Sequence, residues 1–401
     1  MTENIYIMRT SLILALLSIF GYNITSAQNK GTGFVGKGYY RVRNLTTERY
    51  IYVTDNKDYY DITHDKEDFQ GIQLWKDAAK AAKSPASVIF IEELYPGGFD
   101  LKAQGTGVYD LTGYCVNVTK KSDGTYEVSA SRGGATKFLS DDRTNSSEQG
   151  KLGTSGTTKY RRWIVDKIEA THATNYIGIS PTITFNGKYY QTFYASFPFR
   201  TISPGMHVYY ISDVEGNSAF LKEIEGDVPA ATPVIIECAS ANATDNRIEP
   251  LLITTAKVTD NLLCGVYFCN GKRPQESVDA YTKFDAATMR ILTVADGKLV
   301  MSDNAPERLQ EIMVNDYTLY EQVPAICIPA NTCYLNVDTS APQELYVKRH
   351  STGISNLHSN NSSLTKEGVY SLDGTQLRTT NNAEGLPAGI YIIGGKKVVR
   401  K

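Results

Sequence analysis

Short runs in which apolar and polar residues alternate make up most of the chain, and turn residues separate them. Tyr39–Asn44 alternates in this way, and Tyr50–Val53 follows it after Leu45–Arg49, so the two runs predict a β-hairpin. Further strands are predicted at Ala86–Ile91, Phe99–Ala103, Tyr126–Ala130 and Trp163–Ile168. Short strands with turns between them predict a small closed or sandwiched β-domain in this part of the chain.

Two segments predict helices instead. Gln70–Lys83 has apolar residues at helical spacing, and Ser84-Pro85 would end the helix. Its apolar face would consist of Ile72, Trp75, Ala79 and Ala82. Asn304–Arg308 predicts a second helix start, with an asparagine at the N-cap and a proline in the first turn.

A phrase repeats in the second half of the chain. Pro229–Thr232 and Pro329–Thr332 both read Pro-Ala-x-Thr before an apolar run, which supports an internal duplication. Proline fixes φ at the strand entrance, and the small residues that follow favour a turn. Between the two copies, Asp296-Gly297 predicts a tight hairpin turn.

Residues 1–27 have the pattern of a secretory signal peptide. Arg9 precedes the apolar run Leu12–Phe20, and small residues then predict cleavage between Ala27 and Gln28. The run is shorter than the roughly 20 residues of a membrane-spanning helix, and an uncleaved anchor is the alternative. No later segment approaches that length. We therefore expect an exported protein without a membrane-spanning segment, placed outside the cell, at its outer surface or in the periplasm.

Export permits disulfides, and the six cysteines are Cys115, Cys238, Cys264, Cys269, Cys327 and Cys333. Their density is far below that of a disulfide scaffold. The spacing of the close pairs does not fit the usual zinc sites, which also recruit a nearby histidine. Each cysteine lies in an apolar run, so we interpret them as small buried residues, with a structural disulfide as the alternative. We expect neither a metal site nor a cofactor.

The net charge limits the kinds of partner this protein can bind, and the aromatic content bears on its fold class. The 41 basic and 43 acidic residues give a net charge of −2, which excludes the basic footprint of a nucleic-acid-binding protein. Tyrosine dominates the aromatics, with 27 Tyr against 13 Phe and 2 Trp. Tyrosine favours half-buried β-surfaces, so composition agrees with the mainly β prediction. The oligomeric state is left open.

Two short stretches carry a resemblance to ricin-type β-trefoil modules. Gly38–Asn44 with Arg49–Val53 looks like the opening of such a module, and Arg162–Val165 is similar to its tryptophan-containing final strand. The resemblance implies a β-trefoil-like fold for residues 28–175. Another small barrel or sandwich is the alternative.

The rest of the chain resembles secreted proteins of Bacteroidetes. Residues 180–340 are similar to β-modules common there, which we divide into 176–255 and 256–348. After a polar linker at 349–363, Gly368–Gly374 and Gly385–Lys401 resemble a shortened type IX secretion C-terminal sorting domain. The resemblance implies a short β-unit over 364–401 that either directs export or survives as a vestigial module.

No catalytic motif stands out. The five histidines are scattered, and the chain has no nucleophile elbow, phosphate loop or dinucleotide fingerprint. We therefore do not expect an enzyme. A hydrolase, or an accessory subunit of a polysaccharide-degrading system, is the alternative, because a fold can bring two distant carboxylates together. A structural component of the cell surface is a second alternative.

Binding is the favoured class of function, with a glycan or an extracellular protein as ligand. Tyr59, Tyr60 and Asp61 lie in a predicted loop, where aromatic rings could stack on a sugar while a carboxylate accepts its hydroxyl groups. These tyrosines could instead cover the strand beneath them. Trp75 could join the site, or it could belong to the core as part of the predicted helical face.

Overall fold

The computed structural model describes residues 31–53, 72–75, 78–104, 109–110, 116–132, 135–141, 150–153, 158–269, 281–316, 319, 321–349, 368–371, 376–393 and 396–400. The chain divides into two compact units, Met1–Arg349 and His350–Lys401. Strands dominate both units, so the mainly β prediction is confirmed. Among the described residues, no helix has the length and apolar character needed to cross a membrane.

The first part of unit 1 is a curled antiparallel sheet. Its strands are β1 (Gly38–Asn44), β2 (Tyr50–Val53), β3 (Ile72–Trp75), β4 (Ile89–Tyr95), β5 (Gly98–Ala103), β6 (Tyr109–Asp110), β7 (Val116–Lys120), β8 (Tyr126–Arg132), β9 (Ala135–Phe138), β10 (Ser140–Asp141), β11 (Gly150–Gly153) and β12 (Trp163–Lys167). One short helix, α1 (Ala78–Ala82), and two 3-10 turns, Pro85–Ser87 and Thr158–Arg161, also lie in this described part.

Six of these strands close into a barrel. Around the ring, β1 pairs with β12, then β8, β7, β5 and β4, and β4 pairs back with β1. Alternate residues of each strand point inward, so Tyr40 and Val42 face a core that also holds Trp163. The Trp163 indole nitrogen donates to the Leu139 carbonyl oxygen at 3.0 Å, so its one polar atom is satisfied. The predicted hairpin at the start of the domain is confirmed, since Arg43 pairs with Tyr50.

The predicted helix over Gln70–Lys83 is confirmed at Ala78–Ala82 and is wrong at Ile72–Trp75; positions 70, 71, 76 and 77 lie outside the described residues. Ile72–Trp75 is strand β3, paired residue for residue with β2, and the helix is limited to α1. A short isolated helix is marginal in water, whereas the same residues gain a full ladder of hydrogen bonds between β2 and β11. The predicted strand at Ala86 likewise begins only at Ile89, because Ser84 accepts a hydrogen bond from the Ala86 amide and caps a 3-10 turn.

The second part of unit 1 continues with short strands. They are β13 (Ile177–Gly178), β14 (Ile183–Phe185), β15 (Lys188–Phe193), β16 (Phe199–Thr201), β17 (His207–Glu215), β18 (Ser218–Glu223), β19 (Val234–Cys238), β20 (Arg247–Pro250), β21 (Leu263–Val266), β22 (Thr282–Lys283), β23 (Met289–Ala295), β24 (Lys298–Ser302), β25 (Gln310–Asp316), β26 (Glu321–Ile328), β27 (Thr332–Asn336) and β28 (Glu344–Arg349). Two 3-10 turns, Ala243–Asp245 and Pro306–Arg308, lie between them.

One long sheet runs through this part. Its order is β14-β15-β19-β17-β18-β28-β24-β23-β27-β21, and the β18–β28 pairing is parallel. It therefore contains strands from both predicted modules. The hairpin turn predicted at Asp296-Gly297 is confirmed between β23 and β24, with φ of 48° and 68° as a two-residue hairpin loop requires.

The helix start predicted at Asn304–Arg308 is wrong. Ala305, not Asn304, occupies the N-cap position, and no side chain caps the turn. The segment forms only the 3-10 turn, and the chain then enters β25, which pairs along its whole length with β26. Propensity for a first helical turn thus gives way to a seven-residue strand pairing.

The two parts of unit 1 pack through aromatic residues. Tyr39 and Phe90 lie on the outward face of the barrel, and the Tyr39 and Phe197 ring centroids are 5.6 Å apart. The Tyr39 hydroxyl donates to the Leu251 carbonyl oxygen at 2.9 Å. This shared apolar cluster fixes the barrel against the long sheet and positions the cleft between them.

Unit 2 contains a small antiparallel sheet in its described residues, with the order β30-β29-β31-β32. The strands are β29 (Val369–Tyr370), β30 (Gln376–Arg378), β31 (Gly389–Ile393) and β32 (Lys396–Arg400). Val369 is fully buried, and the Tyr391 hydroxyl donates to the Pro387 carbonyl oxygen at 2.8 Å. β29, β31 and β32 lie within Gly368–Gly374 and Gly385–Lys401, whereas β30 lies between these two phrases.

Candidate functional site

A cleft of about 300 Å³ lies between the barrel and the long sheet. Its floor is apolar and consists mainly of Val53, Ile179 and Phe193, each less than 5% exposed. Such a volume is at the lower end of the range for small-molecule sites, and a mostly apolar lining with a few polar groups is typical of them.

The barrel side of the cleft comes from two neighbouring segments. Tyr52 and Val53 end strand β2, and Lys83–Ala86 connects α1 to the 3-10 turn. The buried cluster of Tyr52, Ala81 and Ala86 packs these segments together. This wall is therefore rigid where it meets the cleft, and Lys83 extends from it as an exposed ammonium group.

Both copies of the repeated Pro-Ala-x-Thr phrase hold the opposite wall. Ala231 and Asn331, the x residues, have positive φ of 55° and 58°, so the two copies form the same kind of turn. The Ala231 amide donates to the Ala195 carbonyl oxygen, and the Tyr194 amide donates to the Asn331 carbonyl oxygen, both at 3.0 Å. The two turns thus fix the residues that directly follow β15, the strand that carries Phe193 into the cleft.

Asn331 also ties the two walls together. Its Nδ2 donates to Gln104 Oε1 of the barrel at 2.8 Å and to the Tyr194 carbonyl oxygen at 3.1 Å. Asn331 and Gln104 are 8% and 0% exposed, so this amide pair is a buried bridge. This bridge is costly to break, because the buried Gln104 Oε1 would lose the Asn331 donor. Gly265 supports the same segment from below, since a Cβ there would lie 2.4 Å from the Tyr194 ring.

The rim of the cleft carries hydroxyl and amide groups. The Gln191 side chain is fixed, with its Oε1 accepting from the Thr182 hydroxyl at 2.7 Å and its Nε2 donating to the Thr192 carbonyl oxygen at 2.9 Å. Ser180 is exposed beside it. Within the described lining, Lys83 is the one charged side chain, so the cleft offers neutral hydrogen-bonding groups around an apolar floor.

The thiol that lines the cleft, Cys269, is a poor nucleophile. Cys269 lines the cleft, and a hydrogen bond with Cys327 together with burial raises the pKa of its thiol. Burial also raises the pKa of Cys238 to about 12 and that of Cys333 above its ordinary value. The five described cysteines are free thiols; Cys115 lies outside the described residues. A protonated thiol is not the reactive form.

The buried Glu237 carboxylate, which lies outside the cleft lining, already has hydrogen-bond and ion-pair partners. Glu237 is 5% exposed and accepts from Lys188 Nζ and Arg349 Nη2, each at 2.5 Å, and from the Tyr190 hydroxyl at 3.3 Å. Burial, with Glu237 adding to it, raises the pKa of Tyr190 to about 12. In the described ranges, no group of three or more His, Cys, Asp and Glu side chains is placed to hold a metal ion.

Of the site residues predicted from the sequence, only Trp75 lies within the described residues. Tyr59, Tyr60 and Asp61 lie outside the described residues, as do Ala27 and Gln28 at the predicted cleavage site. Trp75 ends β3 and pairs with Tyr50, not with a helical face. Sequence reasoning missed Phe193, Gln191 and Asn331. The repeated Pro-Ala-x-Thr phrase was the available signal, but nothing in the sequence shows that its second copy lines a cleft with the end of β2.

The chain matches no protein-family model, and no curated protein shows significant similarity to it. The resemblances to ricin-type modules and to the sorting domain therefore stay predictions.

Proposed function

We propose that this is an exported, non-enzymatic binding protein that recognises a glycan through its N-terminal β-domain and the adjoining cleft. The observation that carries the proposal is the cleft itself, with an apolar floor at Val53 and Phe193 and a rim of hydroxyl and amide groups. A sugar ring has the matching chemistry, since its C–H face is apolar and its hydroxyl groups both donate and accept.

The charge of the cleft supports binding over hydrolysis. Glycoside hydrolysis needs a pair of carboxylates about 5–10 Å apart. The described lining contains no Asp or Glu, and the pKa of its one thiol, Cys269, is raised. The hydrolase alternative therefore gains no support from this site. The predicted ligand residues Tyr59, Tyr60 and Asp61 follow Val53 closely in sequence, which supports placing recognition at this end of β2.

We further propose that residues 28–175 form a β-trefoil. The closed six-strand ring β1-β12-β8-β7-β5-β4 supports this, together with the strands β2, β3, β10 and β11 that extend from it. Secretion by the signal peptide, and a role of residues 364–401 in sorting to the cell surface, complete the proposal. Their support is the sequence pattern alone.

A glycan array probed with the full secreted chain tests the proposal. We expect binding to a restricted set of glycans, and we expect Ser180→Trp to weaken it at least about tenfold, because an indole at the rim would fill the cleft. Ser340→Trp is the matched control, since Ser340 is also exposed but lies far along the chain at the β27–β28 connection. It should bind like the unmodified protein.

Two results would contradict the proposal in different ways. Binding that survives Ser180→Trp but disappears in the double variant Tyr59→Ala/Tyr60→Ala would move recognition from the cleft to the predicted loop. No binding to any glycan or matrix protein, with the fold retained by circular dichroism, would favour the structural surface component.

A further inference from the structure

The outward face of β1 carries two arginines. Tyr40 and Val42 point into the barrel core, so Arg41 and Arg43 point to the other side. On β12, Asp166 is the direct partner of Arg41. Cross-strand partners share a face of the sheet, so these three charged residues belong to one surface.

The Arg41 guanidinium is buried and held by neutral groups. It is 2% exposed; its Nε donates to Ser87 Oγ at 3.0 Å and its Nη1 to Asn175 Oδ1 at 2.8 Å. Asn175 Nδ2 donates to the carbonyl oxygens of Asp166 and Lys167 at 3.0 and 2.7 Å, so its Oδ1 is fixed toward Arg41. The orientation of the guanidinium is therefore fixed on two sides.

Its third nitrogen has no hydrogen-bond partner in the described part of the chain. Arg41 Nη2 is buried without an acceptor among the described residues, and no ion pair to Arg41 occurs within 4.0 Å there. The Asp166 carboxylate lines the same pocket, but its Oδ1 accepts from the Thr32 amide at 3.0 Å and, within the described residues, it makes no ion pair with Arg41. Arg290 shows that burial alone does not produce this state, because each of its three nitrogens donates to backbone carbonyl oxygens. An uncompensated buried charge is strongly unfavourable.

Arg41 lines a small pocket, about 40 Å³ in volume, at this point. Arg43, Tyr50 and Thr174 line it as well, and Thr174 is exposed at its mouth. Arg43 has a weak counter-charge in Glu48, at 4.0 Å. At about 10–15 Å³ for each water-sized group, the pocket has room for roughly three heavy atoms.

We propose that this pocket is a binding site for a single carboxylate group, held by Arg41 Nη2 with Arg43 beside it. A carboxylate has three heavy atoms and accepts from a guanidinium in its own plane, so it fits both the volume and the remaining donor edge. A phosphate or sulfate has five heavy atoms and a second charge, which Asp166 in the lining opposes. The site is separate from the cleft, and it does not rest on glycan recognition.

Calorimetric titration of the full chain with sodium acetate, against sodium chloride at the same ionic strength, tests the site. We expect a dissociation constant on the order of 1 mM for acetate. Thr174→Glu places a carboxylate at the mouth and should weaken acetate binding about tenfold by occupying the pocket. Thr174→Gln has the same size without the charge and should bind acetate like the unmodified protein. Arg43→Gln should weaken binding about fivefold.

A second pair of probes distinguishes the source of the carboxylate. If D-glucuronate binds at least as tightly as acetate and D-glucose does not bind, the group is carried on a sugar. If acetate binds and D-glucuronate does not, the ligand is a small free acid. The proposal is overturned if acetate gives no heat beyond that of chloride, as for a pocket filled by water, or if Thr174→Glu and Thr174→Gln bind acetate equally.

Discussion

Two buried arginines of the same β-domain, Arg49 and Arg41, differ in the kind of group that accepts their hydrogen bonds. Arg49 is 6% exposed, and its Nε and Nη2 both donate to the Asp141 carboxylate, whose Oδ2 also accepts from the Thr47 hydroxyl. Arg41 is 2% exposed, and among the described residues its guanidinium donates only to the neutral oxygens of Ser87 and Asn175. A guanidinium that donates two hydrogen bonds to a carboxylate has its charge balanced within the protein. One that donates only to neutral acceptors keeps its charge, and a remaining N–H group, available for a ligand.

The same contrast is visible in the electrostatics. Desolvation by burial lowers the pKa of Arg41 from 12.5 to about 10, and the coulombic effects of Tyr50, Asp166 and Tyr176 offset it only in part. Arginine is otherwise charged in proteins under nearly all conditions. The difference teaches that burial of a charge is informative only together with its partners: Arg49 stabilises the fold, and Arg41 is available for recognition.

The largest expected effect is the loss of the Asp141 carboxylate. Asp141→Ala removes the carboxylate that the buried Arg49 guanidinium contacts through two nitrogens, which should lower the free energy of unfolding by about 3–5 kcal/mol. Urea denaturation at pH 7 measures it. Asp260→Asn removes the exposed partner of Lys222 and should be indistinguishable from the unmodified protein. Equal effects of the two variants would show that the buried pair is not structural.

Arg41→Met should cost less. The variant leaves Ser87 and Asn175 with an unused acceptor, but it also removes a desolvated charge, so we expect a loss of about 1–2 kcal/mol. Arg290→Met is the control; it should cost more, because it orphans buried carbonyl oxygens at several points. If Arg41→Met destabilises the protein as much as Asp141→Ala, Arg41 has a structural role equal to that of Arg49 and the contrast between them fails.

Two tyrosines on the long sheet also differ in whether their polar group has a partner, and we expect smaller effects there. The Tyr190 hydroxyl donates to Glu237, whereas the buried Tyr209 hydroxyl has no acceptor among the described residues. Tyr190→Phe should therefore lower the free energy of unfolding by about 1 kcal/mol, and Tyr209→Phe should leave it unchanged or raise it slightly. Thermal unfolding followed by circular dichroism measures both. A larger loss for Tyr209→Phe than for Tyr190→Phe would contradict the assignment.

These tyrosines also set an alkaline limit. Burial is the largest cause that raises the pKa of both Tyr190 and Tyr209 to about 12, above the ordinary value of 10.0. The unfolded chain loses these protons first, so stability is retained below pH 10 and falls as the pH rises from 10 toward 12.

Strand positions were predictable from the sequence where the alternation was strong. Tyr39–Asn44 and the Asp296-Gly297 turn were found because each element is specified by its own residues. Ile72–Trp75 was not, because its state depends on pairing with β2 and β11, neither of which is adjacent to it in sequence. The cleft and the Arg41 pocket could not be predicted for the same reason: they bring together Val53 with Phe193, and Arg41 with Asn175, through tertiary packing alone.

The smallest expected effect concerns the two copies of the Pro-Ala-x-Thr turn. Ala231 has a left-handed φ of 55° and an exposed methyl group. Glycine relieves the backbone strain at this φ, although it also increases the entropy of the unfolded chain, so Ala231→Gly should raise the free energy of unfolding by about 0.5 kcal/mol. Asn331→Gly relieves the same strain but loses the amide bonds to Gln104 and Tyr194, so it should be destabilising and should weaken binding at the cleft. Differential scanning calorimetry measures both variants. If Asn331→Gly is as stabilising as Ala231→Gly, the Asn331–Gln104 hydrogen bond does not hold the two walls of the cleft together. The Asn331 side chain would then be unnecessary for stability, and only the backbone turn would matter.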